Sequence, residues 1–196
     1  MGAVLGAIGL AFATIFVAEL GDKTQLLVLS LSARLPVRTV VLGTTMAIVV
    51  IFAISVGIGD LVGTALPRRA LAFVAAAAFL AFGLKTLLGD DDDEADEEER
   101  AAERVSRRAN VFGVFGAFLV AELGDKSMLA TITLAGRYPP VGVWIGAVAA
   151  ETALCTATAF VGRGVVTKVP PRALRIGAAV MFFFLGALAL VEAIRD

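Results

Sequence analysis

Two stretches of this chain concentrate side chains that could do chemistry. Residues 19–24 read ELGDKT and residues 122–127 read ELGDKS, each set inside a long apolar run. A charged side chain in hydrocarbon costs from ~3 to more than ~10 kcal/mol, depending on the measure, unless it is paired or hydrated. Glu19 and Asp22 stand three positions apart, as do Glu122 and Asp125, so each pair can share one helix face. Four carboxylates against the two ammoniums of Lys23 and Lys126 leave −2, which one divalent cation neutralises. Oxygen ligands of this kind suit calcium, magnesium or manganese. Thr24, Gln25 and Ser127 add neutral oxygens beside them. The chain has no histidine and a single cysteine, Cys155, so a soft-ligand zinc or copper(I) site has little to stand on. Crowded and partly desolvated, the same acids would take up protons when no metal is present. Acids that hold either a metal or protons are the physical basis of a cation/proton antiporter. Lys23 and Lys126 read either as countercharges or as competitors for the acids within an exchange cycle. A buried structural ion-pair network is the plainer alternative for the whole motif.

The elements that must position these residues follow from composition. The 196 residues are 59% hydrophobic and 18% charged, with a mean hydropathy of +0.89. Soluble domains run closer to about half apolar and about a quarter charged. Ten of the 18 acids fall between Asp90 and Glu103, so the remainder is a series of apolar runs at 3–33, 39–65, 70–89, 109–136, 141–163 and 173–194. A helix rises ~1.5 Å per residue against a hydrocarbon core of ~30 Å. Each run is therefore long enough to cross, and the first and fourth are longer than needed. Those two are expected to tilt, or to break at Gly21 and Gly124. Runs without strict alternation argue against a barrel. The expected fold class is an all-α membrane protein with six transmembrane helices. The N-terminal run lacks a basic leader and reads as a retained first span rather than a cleaved signal peptide.

A shift of 103 positions aligns the halves without a gap. It carries Glu19 onto Glu122, Gly21 onto Gly124, Asp22 onto Asp125 and Lys23 onto Lys126. The register continues through Arg34/Arg137, Pro36/Pro139, Gly43/Gly146, Pro67/Pro170 and Gly83/Gly186. Three spans per copy is an odd number, so the second copy enters from the opposite side, giving an inverted repeat of the kind whose site lies at midplane. The expected division is a first repeat over 1–89, an acidic linker over 90–108 and a second repeat over 109–196. Setting aside the motif lysines, four basic residues lie on one side and eleven on the other. That bias places the linker in the cytoplasm and both termini outside.

Paired E-x-G-D-K-[T/S] motifs, one in each three-span half around an acidic loop, resemble the second cation/calcium exchanger family. That family includes bacterial manganese exporters and the Golgi Gdt proteins of eukaryotes. The resemblance spans nearly the whole chain and implies export of Mn2+ or Ca2+ against protons. It would put Glu19, Asp22, Glu122 and Asp125 in the translocation site, with the metal as substrate rather than resident cofactor. Gln25 fits the family pattern after the hydroxyl residue, whereas the second copy has Met128 there. If that glutamine is a ligand, the site is asymmetric.

Glu151 lies within the fifth span where the first copy has Ile48. It reads as a proton relay or supporting residue, or as a buried acid beside Thr152, Thr156 and Thr158. Asp60 reads as an exposed residue at a span end. Gly43, Gly57, Gly59, Gly146 and Gly162 would permit close helix packing. The acidic run is expected to be a solvated, disordered linker. Nothing suggests nucleic acid as a partner; the bilayer, a divalent cation and protons are the expected ones, and a homodimer stays open. The expected location is the plasma membrane. Two other functions remain in view: an exporter of small organic solutes, which would want an aromatic cage, and an intramembrane lipid pyrophosphatase, which would want a phosphate cradle beside the acids.

Overall fold

A computed structural model describes residues 1–20, 22–88, 100, 102–105, 110–161 and 171–195. Among them run the helices α1 (Gly2–Glu19), α2 (Lys23–Ser32), α3 (Val37–Ala65), α4 (Arg68–Leu88), α5 (Val111–Glu122), α6 (Lys126–Ala135), α7 (Pro140–Val161) and α8 (Pro171–Arg195). The described residues contain no strand. The first four helices match the last four at the 103-residue shift: α2 and α6 begin at Lys23 and Lys126, α3 and α7 at Val37 and Pro140, and α4 and α8 at Arg68 and Pro171. Prolines set several starts, with Pro36 as N-cap of α3 and Pro140 and Pro171 opening α7 and α8, where the missing N–H has no helical partner to lose. The Asn110 side chain caps α5 by accepting from the Gly113 amide at 2.6 Å.

Both motifs interrupt their helices in the same way. Leu20 and Leu123 leave the helix at φ/ψ of −68/109° and −63/115°. Asp22 and Asp125 are extended at −78/167° and −72/167°, and each stands at the N-cap position of the helix that follows without a side-chain cap hydrogen bond. Gly124 lies between them with φ +79°, a left-handed conformation that glycine adopts without strain. Gly21, its counterpart, falls outside the described residues. The apolar run over 109–136, expected as one span that tilts or breaks at Gly124, is thus two short helices of 12 and 10 residues. The run over 3–33 divides likewise into 18 and 10.

Packing is reciprocal between the halves. Helix α1 lies on α7, and its counterpart α5 lies on α3; α3 also packs on α7, and α4 on α8. The glycines report the same exchange. A Cβ on Gly43 would sit 2.6 Å from Val114 Cβ and 2.8 Å from the Val111 carbonyl oxygen. A Cβ on Gly146 would sit 3.0 Å from Ala11 Cβ and 2.4 Å from the Ile8 carbonyl oxygen. Ile8 and Ala11 are the shifted partners of Val111 and Val114. Gly83 meets the Phe183 ring and Gly186 meets Leu80, another shifted pair. Small residues let backbones approach where lipid provides no hydrophobic drive between helices. Gly57, expected at such a contact, faces open space, and Gly162 lies outside the described residues.

Large apolar side chains such as Leu42, Phe73, Phe112, Val120, Phe160 and Phe184 are exposed around the bundle. Helices α1, α3, α4, α7 and α8 are each long and apolar enough to cross a membrane. The chain is a multi-pass, all-α membrane protein. At 29 residues, α3 would extend about 44 Å, beyond the ~30 Å core, so it tilts or projects. The acidic run 90–99 lies outside the described residues; just after it, Ala102 is buried in the core.

Candidate metal centre

The interrupted helices bring the two motifs together inside the bundle. Glu19 ends α1 and Glu122 ends α5, so the negative ends of both helix dipoles meet there. Both glutamates are buried. Ligand oxygens of Glu19, Glu122 and Asp125 all lie within 4.8 Å of one another, close enough for one cation to touch all three. Asp22 forms an ion pair with Lys126 of the opposite half. The fourth acid, Asp22, is thus outside the group of three, with a lysine on it.

The hydroxyls hold the glutamates in matched fashion. Thr24 Oγ1 donates to Glu19 Oε2 at 2.9 Å, and Ser127 Oγ donates to Glu122 Oε2 at 2.8 Å. Each bond fixes one oxygen and leaves the other turned inward: Oε1 of both glutamates is buried without a hydrogen-bond partner among the described residues. Two buried, orphaned carboxylate oxygens are costly unless something positive occupies the space between them. An oxygen-seeking cation supplies that charge.

Thr24, Gln25 and Ser127 were expected as possible neutral ligands. The structure gives the two hydroxyls as donors to the glutamates. Gln25 Nε2 donates to the Glu19 carbonyl oxygen at 2.6 Å, which ties α2 back to the end of α1. The second half replaces this with a weaker contact, from the Gly124 amide to Met128 Sδ at 3.4 Å. The asymmetry expected from Gln25 and Met128 is therefore one of backbone anchoring. The side chain of Lys23 lies outside the described residues. Glu151 is buried in α7, within electrostatic reach of Glu19, Asp22, Glu122 and Asp125. The cross-half pairing of Lys126 with Asp22 had no signal in the sequence, because each lysine also adjoins the aspartate of its own motif.

Comparison with known proteins identifies the family. The sequence model of the family described as "Divalent cation/proton antiporter GDT1" matches twice, over residues 7–94 and 110–196. "Protein PAM71, chloroplastic" of Arabidopsis thaliana is 31% identical over 98% of this chain, which spans 58% of that protein's length. "GDT1-like protein 5" of the same plant is 25% identical, with 97% of this chain and 98% of the relative covered. "GDT1-like protein sll0615" of a Synechocystis strain is 28% identical, covering 89% and 92%. No solved structure matches the chain. The two-fold match of the family model covers most of the sequence, and the chain belongs to the GDT1 divalent cation/proton antiporter family.

Proposed function

We propose that this protein exports Mn2+ or Ca2+ from the cytoplasm in exchange for protons. The cation would bind one carboxylate site built by both motifs. Glu19, Glu122 and Asp125 are its ligands, and Asp22 joins as Lys126 releases it. Thr24 and Ser127 orient the glutamates, Gln25 fixes the helix break, and Lys23 and Lys126 balance charge. The observation that carries this reading is the convergence of three acids from two halves on one buried point, with both Oε1 atoms left open.

Protons enter by substitution. A group of buried acids cannot remain fully ionised in a dry interior, so the site leaves one compartment either holding a cation or holding protons. That is obligatory exchange without any separate proton channel.

Residues 1–89 and 109–196 act as two repeats of opposite orientation joined by the cytoplasmic linker 90–108. The reciprocal packing of α1 on α7 and α5 on α3 supports an axis relating the halves, and three membrane crossings per half make their orientations opposite. The basic bias would put both termini outside, and the plasma membrane is the location this reading takes.

The test uses purified protein in liposomes with Mn2+ or Ca2+ on one side and an imposed pH gradient. Cation should move only against a counterflow of protons, and Glu122→Gln should abolish it. Cation flux that ignores the pH gradient, or survives Glu122→Gln, would overturn the proposal.

A further inference from the structure

Glu151 has no acidic counterpart in the first half. Its shifted counterpart in α3 is Ile48, and both side chains are buried to the same degree, at 1% and 0% exposed. An aliphatic residue therefore packs at this position of the fold, and packing alone does not call for an acid. Burial of a carboxylate without partners is unfavourable. Yet neither oxygen of Glu151 has a hydrogen-bond partner among the described residues. The neighbouring charges that bear on it are those of Glu19, Asp22, Glu122 and Asp125, all acids. Helix α7 lies against α1, which ends at Glu19, and against α2 and α6, which begin at Lys23 and Lys126. What such an acid lacks is a cation.

We propose that Glu151 is a further ligand of the transported divalent cation, presented by α7 beside the paired motifs. This rests on the carboxylate-site reading above and deepens it. Its oxygens stand outside the group that Glu19, Glu122 and Asp125 form within 4.8 Å, so Glu151 is an additional donor on a third element that reaches the cation as the helices shift. Because α7 packs on both α1 and α3, a ligand on it can stay with the cation while the motif-bearing helices shift. Hard cations that accept six to eight oxygens use such donors readily.

The experiment compares Glu151→Gln, Glu151→Ile and Glu151→Asp with the unaltered chain in liposomes and in detergent. It measures KM and turnover for Mn2+ and for Ca2+, and equilibrium binding of Mn2+ alone. Glu151→Ile copies the residue that already packs at position 48, and Glu151→Gln keeps the shape, so at least one variant should fold. The expected result is a rise of tenfold or more in KM and in the binding constant of the Gln and Ile variants, the range seen when groups around a metal are removed. Turnover at saturation should stay within about threefold, and Glu151→Asp should recover part of the affinity. Unchanged binding would overturn the inference. So would lost thermal stability or turnover at unchanged KM, which is the mark of a packing role. Glu122→Gln is run alongside. If it abolishes flux while the Glu151 variants bind Mn2+ normally, only the ligand role of Glu151 fails; if Glu122→Gln is also silent, the shared site itself fails.

Discussion

Ser127→Ala removes one oxygen atom from the site and little else. The Ser127 hydroxyl is fully buried and donates to Glu122 Oε2 at 2.8 Å. The other oxygen of that carboxylate has no hydrogen-bond partner among the described residues, so this donor alone fixes the direction in which the ligand atom points. A hydrogen bond to a charged group contributes ~1.5–3 kcal/mol, and each ~1.4 kcal/mol is tenfold in affinity. If the whole effect is felt in cation binding, KM for Mn2+ should rise about ten- to a hundredfold. The structure also supplies the control. Thr24 holds Glu19 Oε2 at 2.9 Å in the same way, so a threonine hydroxyl can serve this geometry. Ser127→Thr, Thr24→Ser and the double exchange should all transport within about threefold of the unaltered protein. The assay is initial Mn2+ uptake into liposomes against concentration, with bound Mn2+ titrated separately by its spin resonance signal. A Ser127→Ala variant with normal KM would refute the positioning argument, and so would a Ser127→Thr variant as damaged as the alanine.

Other outcomes follow from the same geometry. Gly146→Ala places a Cβ 2.4 Å from the Ile8 carbonyl oxygen and should cost ~1–3 kcal/mol through overpacking, read as a lowered melting temperature in detergent; Gly57→Ala, in open space, should leave it unchanged. Lys126→Met removes the cross-half ion pair with Asp22 and should destabilise the protein by about 2 kcal/mol, between the values for exposed and buried pairs, while Lys126→Arg should lose less. Since protons and cation compete for the same oxygens, KM for Mn2+ should rise as pH falls on the binding side, with turnover at saturating metal less affected. A KM independent of pH on that side would count against shared ligands.

Much of this arrangement can be read from the chain because duplication writes it twice. The 103-residue shift fixes which residues correspond, and the helix starts at Lys23/Lys126 and Arg68/Pro171 keep that register. The breaks at the motifs were foreshadowed by Gly21 and Gly124, although the run over 109–136 is long enough to pass for one span. Hydrophobicity measures length and not continuity, so it could not distinguish a single crossing from the two short helices α5 and α6. Gly57 and Gly59 look alike in sequence, yet a Cβ would meet the Ile132 carbonyl oxygen at Gly59 and nothing at Gly57. Only the face of α3 decides that. Lys126 meeting Asp22 rather than only its own motif is a tertiary outcome that no spacing encodes. Glu151 was visible as an acid in an apolar run, but its place beside the motifs depends on how α7 is rotated. The apolar pattern of α7 leaves that rotation open, since small and apolar residues surround the helix on every side.

The account turns on one cation being held by both halves at once, and Mn2+ stoichiometry tests that directly. Equilibrium binding to the purified full chain should give one tight Mn2+ per molecule, and Glu19→Gln in the first half or Glu122→Gln in the second should each abolish it. Two tight ions per chain, or one that survives either substitution, would mean that the motifs bind separately and that no shared centre exists.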